Sequence, residues 1–237
     1  MTQYGQFCPV AKAMELLDER WTMLVVRELL AGSRTFGDLQ RGVPKMSPTL
    51  LSTRLRSLAR AGVLDRHEQG KRVYYTLTEA GRELQPIVES LGAWGIRWMP
   101  ELGEEDLDPH LLMWDVQRNV DVAALPPGRT VLQFRFSDVP RGVRDWWLVM
   151  TQDMVDLCDF DPGHPVSGRV DAPLPLFVRV WRGDVAWESA FRSGLEVDGP
   201  TAVRRRLPRW LTLSDFAPVP RPGSSPGPPA QREPQTV

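Results

Sequence analysis

From Thr35 to Leu77 the apolar positions change period more than once, and each change marks an element. Phe36 and Leu39 fall three apart, where one face of a short helix is buried, and Thr35 before them is a residue type that caps helix N-termini. Gly42-Val43-Pro44 ends that helix. Ser47 caps a second helix, with Pro48 at the first helical position, where its missing N–H costs nothing. Leu51, Leu55 and Leu58 follow at four- and three-residue spacing, while Thr49, Ser52, Thr53, Arg56 and Arg60 project from the other side. Ala61-Gly62 closes the helix. The pattern then switches to two short strands, Val63 to His67 and Arg72 to Leu77, around Glu68-Gln69-Gly70-Lys71. A long helix is predicted from Thr78 to about Met99, because Leu84, Ile87, Val88, Leu91, Trp94 and Trp98 repeat at helical spacing.

A helix, a turn, a polar-faced helix and a basic hairpin in that order predict a winged helix-turn-helix, a module that docks on double-stranded DNA. The reading helix is Ser47 to Arg60. Candidate contacts are Thr35, Ser47, Pro48, Thr49, Ser52, Thr53, Arg54 and Arg56, with Arg66, Lys71 and Arg72 in the hairpin. Arginine can grip a guanine edge with two hydrogen bonds, hydroxyls can reach bases or phosphates, and a basic wing tip suits phosphate or minor-groove contact. Taken alone, the polar helix face would equally be an ordinary solvated surface; the hairpin that follows makes the difference. The apolar face of the 78–99 helix needs a partner, either a second copy of the chain or the chain's own second half.

That second half has another rhythm. Glu101 to Asp108 is acidic and reads as a linker, and a helix follows from Pro109 to about Val120. Leu132, Phe134 and Phe136 alternate with Gln133 and Arg135 as in a half-buried strand. Trp146 to Met150 and Met154 to Cys158 read as a hairpin across Thr151-Gln152-Asp153, and Val166 to Val170 as a further strand. Helices over Pro173 to Arg182 and Trp187 to Arg192, a strand at Leu195 to Val197 and a helix over Thr201 to Leu211 complete it. The fold class is α+β. Pro218 to Val237 is rich in proline, glycine and serine, a composition that predicts disorder. The organisation is therefore 1–100, a linker at 101–108, a second domain at 109–217 and a tail at 218–237.

With 237 residues, 42% of them apolar, the chain can bury two cores of ordinary size. Its net charge of −1 hides an asymmetry. Residues 1–100 hold 14 Lys/Arg against 10 Asp/Glu, a balance of +4, and residues 101–237 hold 15 against 20, a balance of −5. The basic half is the half read as DNA-binding. Apolar runs of membrane length are missing, and Met1 to Val10 has neither a basic start nor an apolar core, so the expectation is a cytoplasmic protein with no membrane partner. Cys8 and Cys158 are too few and too far apart for a disulfide framework or a metal cluster. His67, His110 and His164 are scattered, and neither a phosphate-cradling glycine loop nor a nucleophile elbow occurs, so no enzyme activity, cofactor or metal is expected.

Cys8-Pro9-Val10, Arg20-Trp21-Thr22, Leu24, Arg27-Glu28-Leu29-Leu30, Gly32, Arg34, Phe36 and Leu39 resemble the HxlR family of winged-helix regulators. Ser47-Pro48, Leu51, Arg54-Leu55, Leu58, Gly62-Val63-Leu64, Tyr74, Leu77-Thr78 and Gly81 continue the match over about the first hundred residues. The resemblance implies a transcriptional repressor or activator that binds a pseudo-palindromic operator as a homodimer. It assigns the 78–99 helix, together with the helix near Pro9 to Leu17, to dimerisation. In parts of this family a cysteine at the Cys-Pro-Val position senses oxidants or electrophiles, which makes Cys8 a candidate sensor; the alternative is a small residue buried at the dimer interface.

Asp159-Phe160-Asp161-Pro162-Gly163, the Val178 to Asp184 segment and Trp210 to Phe216 are similar to a C-terminal domain of some such regulators, related to sterol carrier protein-like folds. The resemblance implies an apolar tunnel for a small apolar ligand, with Phe134, Phe136, Trp146, Phe177 and Trp181 as candidate lining; the alternative is that these aromatics are simply core. A carrier of apolar ligands and a pure redox switch remain open beside the ligand-controlled regulator.

Overall fold

The computed structural model describes residues 3–99 and 101–222. Of the 218–237 tail, residues 223–237 lie outside the described residues. The first part runs α1 (Pro9–Leu17), α2 (Thr22–Leu30), α3 (Phe36–Gly42), α4 (Pro48–Arg60), β1 (Leu64–Gln69), β2 (Arg72–Leu77), α5 (Glu79–Arg82) and α6 (Gln85–Trp98). Val25, Val26, Leu29, Leu39, Leu51, Leu55, Leu58 and Leu64 form its core, each at most 3% exposed. The leucine stripe of α4 thus faces inward, as its spacing predicts. Thr35 caps α3 in a reciprocal box with Asp38, Ser47 caps α4 by accepting from Leu50 N, and Pro48 stands at the helix start. β1 and β2 are antiparallel, with Gln69 opposite Arg72. Gly70 takes φ +61° at the first position of this two-residue turn, where a hairpin favours glycine.

The helix expected from Thr78 to Met99 is two helices. Pro86 has no N–H to return to the Arg82 carbonyl, and its ring would crowd that carbonyl, so the chain turns through Glu83 and Leu84 before α6 begins. Its apolar residues divide accordingly. Leu84 and Val88 pack on the chain's own core, whereas Ile87, Leu91, Trp94 and Trp98 are 46–58% exposed.

The second part adds α7 (Pro109–Arg118), β3 (Thr130–Phe136), β4 (Asp145–Met150), β5 (Val155–Cys158), β6 (Gly168–Ala172), α8 (Leu174–Trp181), α9 (Trp187–Arg192), β7 (Glu196–Asp198) and α10 (Thr201–Trp210). The sheet order is β5-β4-β3-β6-β7, parallel only between β3 and β6. Leu132, Phe134 and Phe136 on β3, Trp146, Leu148 and Met150 on β4, and Val170 and Ala172 on β6 meet the four helices in one core. The expected half-buried strand at 131–136 is covered on its second face too, over Val131 and Gln133 and less at Arg135, because β3 lies between neighbours in the middle of the sheet. Gln133, assigned to solvent by alternation, is 6% exposed and accepts from Arg169 Nε at 2.9 Å. The strand expected at Val166 to Val170 begins two residues later, where Gly168 lies against Val203.

Between the two parts, residues 101–108 contain a single 3-10 turn at Glu104–Asp106, and the Glu105 carbonyl accepts from Lys45 Nζ. One expectation about the tail needs correction. Residues 218–222 are placed, not disordered: Arg221 is paired with Asp184 at 2.9 Å, and Arg97 Nε donates to the Pro220 carbonyl at 3.4 Å. Just before them Phe216 sits over Gly92 of α6, so closely that a Cβ there would come within 2.1 Å of its ring.

Candidate nucleic-acid interface

The outward side of α4 is built by its N-cap and its stripe. Three buried leucines fix the rotation of the helix, and the Ser47 cap fixes where it starts, so Thr49 and Arg56 are held in solvent. Thr53 Oγ1 donates to the Thr49 carbonyl at 3.0 Å and accepts from Arg56 Nη2 at 3.3 Å, bonds within one helix face that a groove could replace. Ser52 is half-buried beside Arg66 and Tyr75, where the helix meets the wing.

Two of the proposed contacts are occupied elsewhere. Arg54 turns back to the α1–α2 connection, pairing with Glu19 and donating from Nε to the Arg20 carbonyl at 3.1 Å; its side chain is 15% exposed. Thr35 spends its hydroxyl on Asp38, at 2.7 Å as donor and 3.2 Å as acceptor, and its backbone bridges Tyr74 of the wing. Arg54 ties α4 to the α1–α2 connection, and Thr35 ties the start of α3 to the hairpin. In the wing, Arg66 is paired with Glu68 at 2.6 Å, which raises its already high pKa, while Lys71 and Arg72 at the tip are exposed.

Tyr4, Phe7, Val10, Met14 and Leu24 are exposed as well, like the four apolar residues of α6. Cys8 is half-buried at the N-cap of α1, and its thiol is free. Phe134, Phe136 and Phe177 are at most 1% exposed and touch ring to ring, with centroids 5.6 and 5.9 Å apart. Trp181 is in the same core, and Trp146 borders a cavity facing α3.

Sequence reasoning missed a buried group that joins the two parts. Glu28 of α2 is fully buried beneath the helix-turn-helix. It accepts from Arg118 Nη1 at 2.9 Å and Nη2 at 3.4 Å, from Trp114 Nε1 at 3.3 Å, from Ser33 Oγ at 3.1 Å and from Arg27 Nη2 at 2.9 Å. Burial works against its ionisation, but Arg118 and Arg27 outweigh it and hold the carboxyl below the usual glutamate range. Gly42 leaves the space, since a Cβ there would lie 1.9 Å from the Glu28 carboxyl carbon. Trp114 in turn lies between the Arg41 and Arg118 guanidinium groups, 5.4 and 5.3 Å from its ring centre. The available signal was an acid at position 28 on the apolar side of α2, between Val25 and Leu29. Such a group demands a buried partner, but nothing local says where.

Residues 16–102 match the family model described as HxlR-like helix-turn-helix. The HTH-type transcriptional regulator sll1512 of Synechocystis sp. is 38% identical over 100 residues, covering 41% of this chain and 74% of that protein. YvaP of Bacillus subtilis, another HTH-type transcriptional regulator, is 36% identical over 99 residues, covering 40% of this chain and 92% of its own length. The solved reduced form of the B. subtilis transcriptional regulator YodB is 29% identical and aligns over 41% of this chain and all of that one, with a TM-score of 0.36.

Proposed function

The chain belongs to the HxlR-like helix-turn-helix family of transcriptional regulators, and from that premise we propose that it reads a pseudo-palindromic operator as a homodimer, with α4 in the major groove and the β1–β2 wing on the backbone. One observation carries the assignment of roles. α4 is locked by a buried stripe and a side-chain cap on one side while Thr49 and Arg56 stand exposed on the other, beside a wing whose tip offers Lys71 and Arg72. Among the described residues no helix is long and apolar enough to cross a membrane.

Groove reading and phosphate contact differ measurably. Arg56→Ala is expected to cost about 1–3 kcal/mol on the selected site and to relax preference at one base position. Lys71→Ala should weaken binding to all sequences alike and reduce the salt slope by about one ion. Fluorescence anisotropy on selected and scrambled duplexes across a salt series separates them; sequence-blind losses in both variants would refute base reading by α4.

The proposed role of residues 109–217 is control of that binding. Their helix-on-sheet layering supports the sterol carrier protein-like reading, while the ring-to-ring packing of Phe134, Phe136 and Phe177 weighs against an open tunnel between them. A second reading makes Cys8 the input, favoured by its free thiol at the N-terminus of a helix in the proposed dimer contact. Diamide should then weaken operator binding, and Cys8→Ser should abolish that response.

A further inference from the structure

Between α3 and the second domain lies a cavity of about 330 Å³, bordered by Gln40, Arg41 and Pro44 on one side and by His110, Trp114 and Trp146 on the other. We propose that this cavity is an effector site for a one- or two-ring aromatic acid, and that its occupancy moves the start of the reading helix. The inference rests on the reading of the chain as a DNA-binding regulator.

The size lies within the range of about 300–1,000 Å³ that holds small ligands. Its walls include two tryptophans that offer a ligand no free N–H: Trp114 Nε1 donates to Glu28, and Trp146 Nε1 to the Val143 carbonyl at 2.8 Å. His110 stands edge-on to Trp146, with centroids 5.0 Å apart, and steadies that wall. A flat ring fits such surfaces better than a flexible chain does.

Charge chooses the substituent. Arg41 rests over Trp114 with its side chain 65% exposed, and its pair with Asp38 is a long 3.5 Å, so its planar fork can still take a carboxylate with two bonds. Asp159 also borders the cavity, and a second negative charge there disfavours a dianion. Gln40 adds a polar demand. Its Nε2 donates to the Val43 and Met46 carbonyls at 3.3 and 2.7 Å, which fixes the amide and leaves Oε1 buried without a partner. A ligand hydroxyl is the donor this acceptor lacks, and it reaches Oε1 only if the amide turns outward from the Val43 and Met46 carbonyls.

Those same carbonyls supply the route to DNA. Val43 and Met46 belong to the turn that delivers the chain to Ser47, the cap of α4, and Pro44 of that turn borders the cavity. A ligand that engages Gln40 and Arg41 therefore shifts the segment that sets where the reading helix begins.

The test titrates full-length protein with hydroxynaphthoate, its hydroxyl and carboxylate on opposite rings, by calorimetry, with neutral naphthol in parallel. Saturable binding is expected, at least tenfold tighter for the acid. Arg41→Gln should reduce the acid to the level of naphthol, and Asp159→Asn should tighten it several-fold. Both side chains are exposed, so unchanged melting temperatures verify folding. Saturating acid should change affinity for the selected operator by about 5–150-fold, and operator should change acid affinity by the same factor. The proposal fails if the acid does not saturate, if neither substitution alters its binding, or if operator affinity is unmoved. A protein that selects an operator but binds no acid loses the site and keeps the regulator reading. One that binds the acid through Arg41 but selects no DNA keeps the site and loses that reading.

Discussion

Glu28→Ala is expected to destabilise the protein by about 3–5 kcal/mol, measured by chemical denaturation, a loss usual for breaking a buried charge pair from one side. The removed carboxylate is the shared acceptor for Arg118, Trp114 and Ser33, and each is left beneath the helix-turn-helix without it. The two cores should then melt apart. A single transition would become two, since Glu28 is the charged tie between α2 and α7. The pair Glu28→Met with Arg118→Met should recover much of the loss, because no buried charge remains to be solvated. If Glu28→Ala alone melts like the unaltered protein, the network contributes nothing and the placement of α7 on α2 is wrong.

The pH dependence follows in sign. Glu28's folded pKa is depressed, so its stabilisation is complete above the unfolded value of about 4.3 and is lost as pH falls through the folded value. Asp115, pushed up by burial despite Arg118, works in the opposite sense as it protonates and softens the acid limb.

Leu91→Glu should convert the protein to a monomer and lower operator affinity by about 10²–10⁴-fold, the range by which linking two half-site contacts raises avidity. Leu91 stands with Ile87, Trp94 and Trp98 at four-, three- and four-residue steps, a single exposed stripe on α6, and Val10 and Met14 of α1 are exposed too. A carboxylate in that stripe would be buried unpaired in any symmetric contact, and twice over, since a two-fold axis repeats it. Sedimentation velocity showing an intact dimer in Leu91→Glu would move the interface elsewhere. The alternative, that this helix packs on the second domain, holds for a different face: Phe216 covers Gly92.

The parts that were legible in the sequence are those governed by neighbours in the chain. The leucine stripe of α4, its Ser47 cap and the turn at Gly70 each depend on residues within a few positions, and each is found where spacing puts it. The break before α6 was also written locally, in Pro86, but the apolar repeat running across it masked the signal. What was not legible depends on distant partners. Alternation along 131–136 could not say that β3 is central, and hence buries Gln133. Within the site, composition marked Arg54 and Arg56 alike, yet only the fold brings Glu19 beside the first. Glu28 needed Arg118, ninety residues on.

The second part of the chain is fastened to the first at both ends: its first helix, α7, is bonded to Glu28 through Trp114 and Arg118, and the returning segment lies on α6 through Phe216 at Gly92 and the Pro220 carbonyl at Arg97. Two anchors on one body leave little room for a swivel. In the proposed dimer it would ride on its own reading head as a rigid lever arm. Displacing it would then change the separation between two heads, which must match about 34 Å of duplex, one helical turn. The protein's sensitivity would thus lie in a ruler, with small angular changes at the seam read out as a misfit in length.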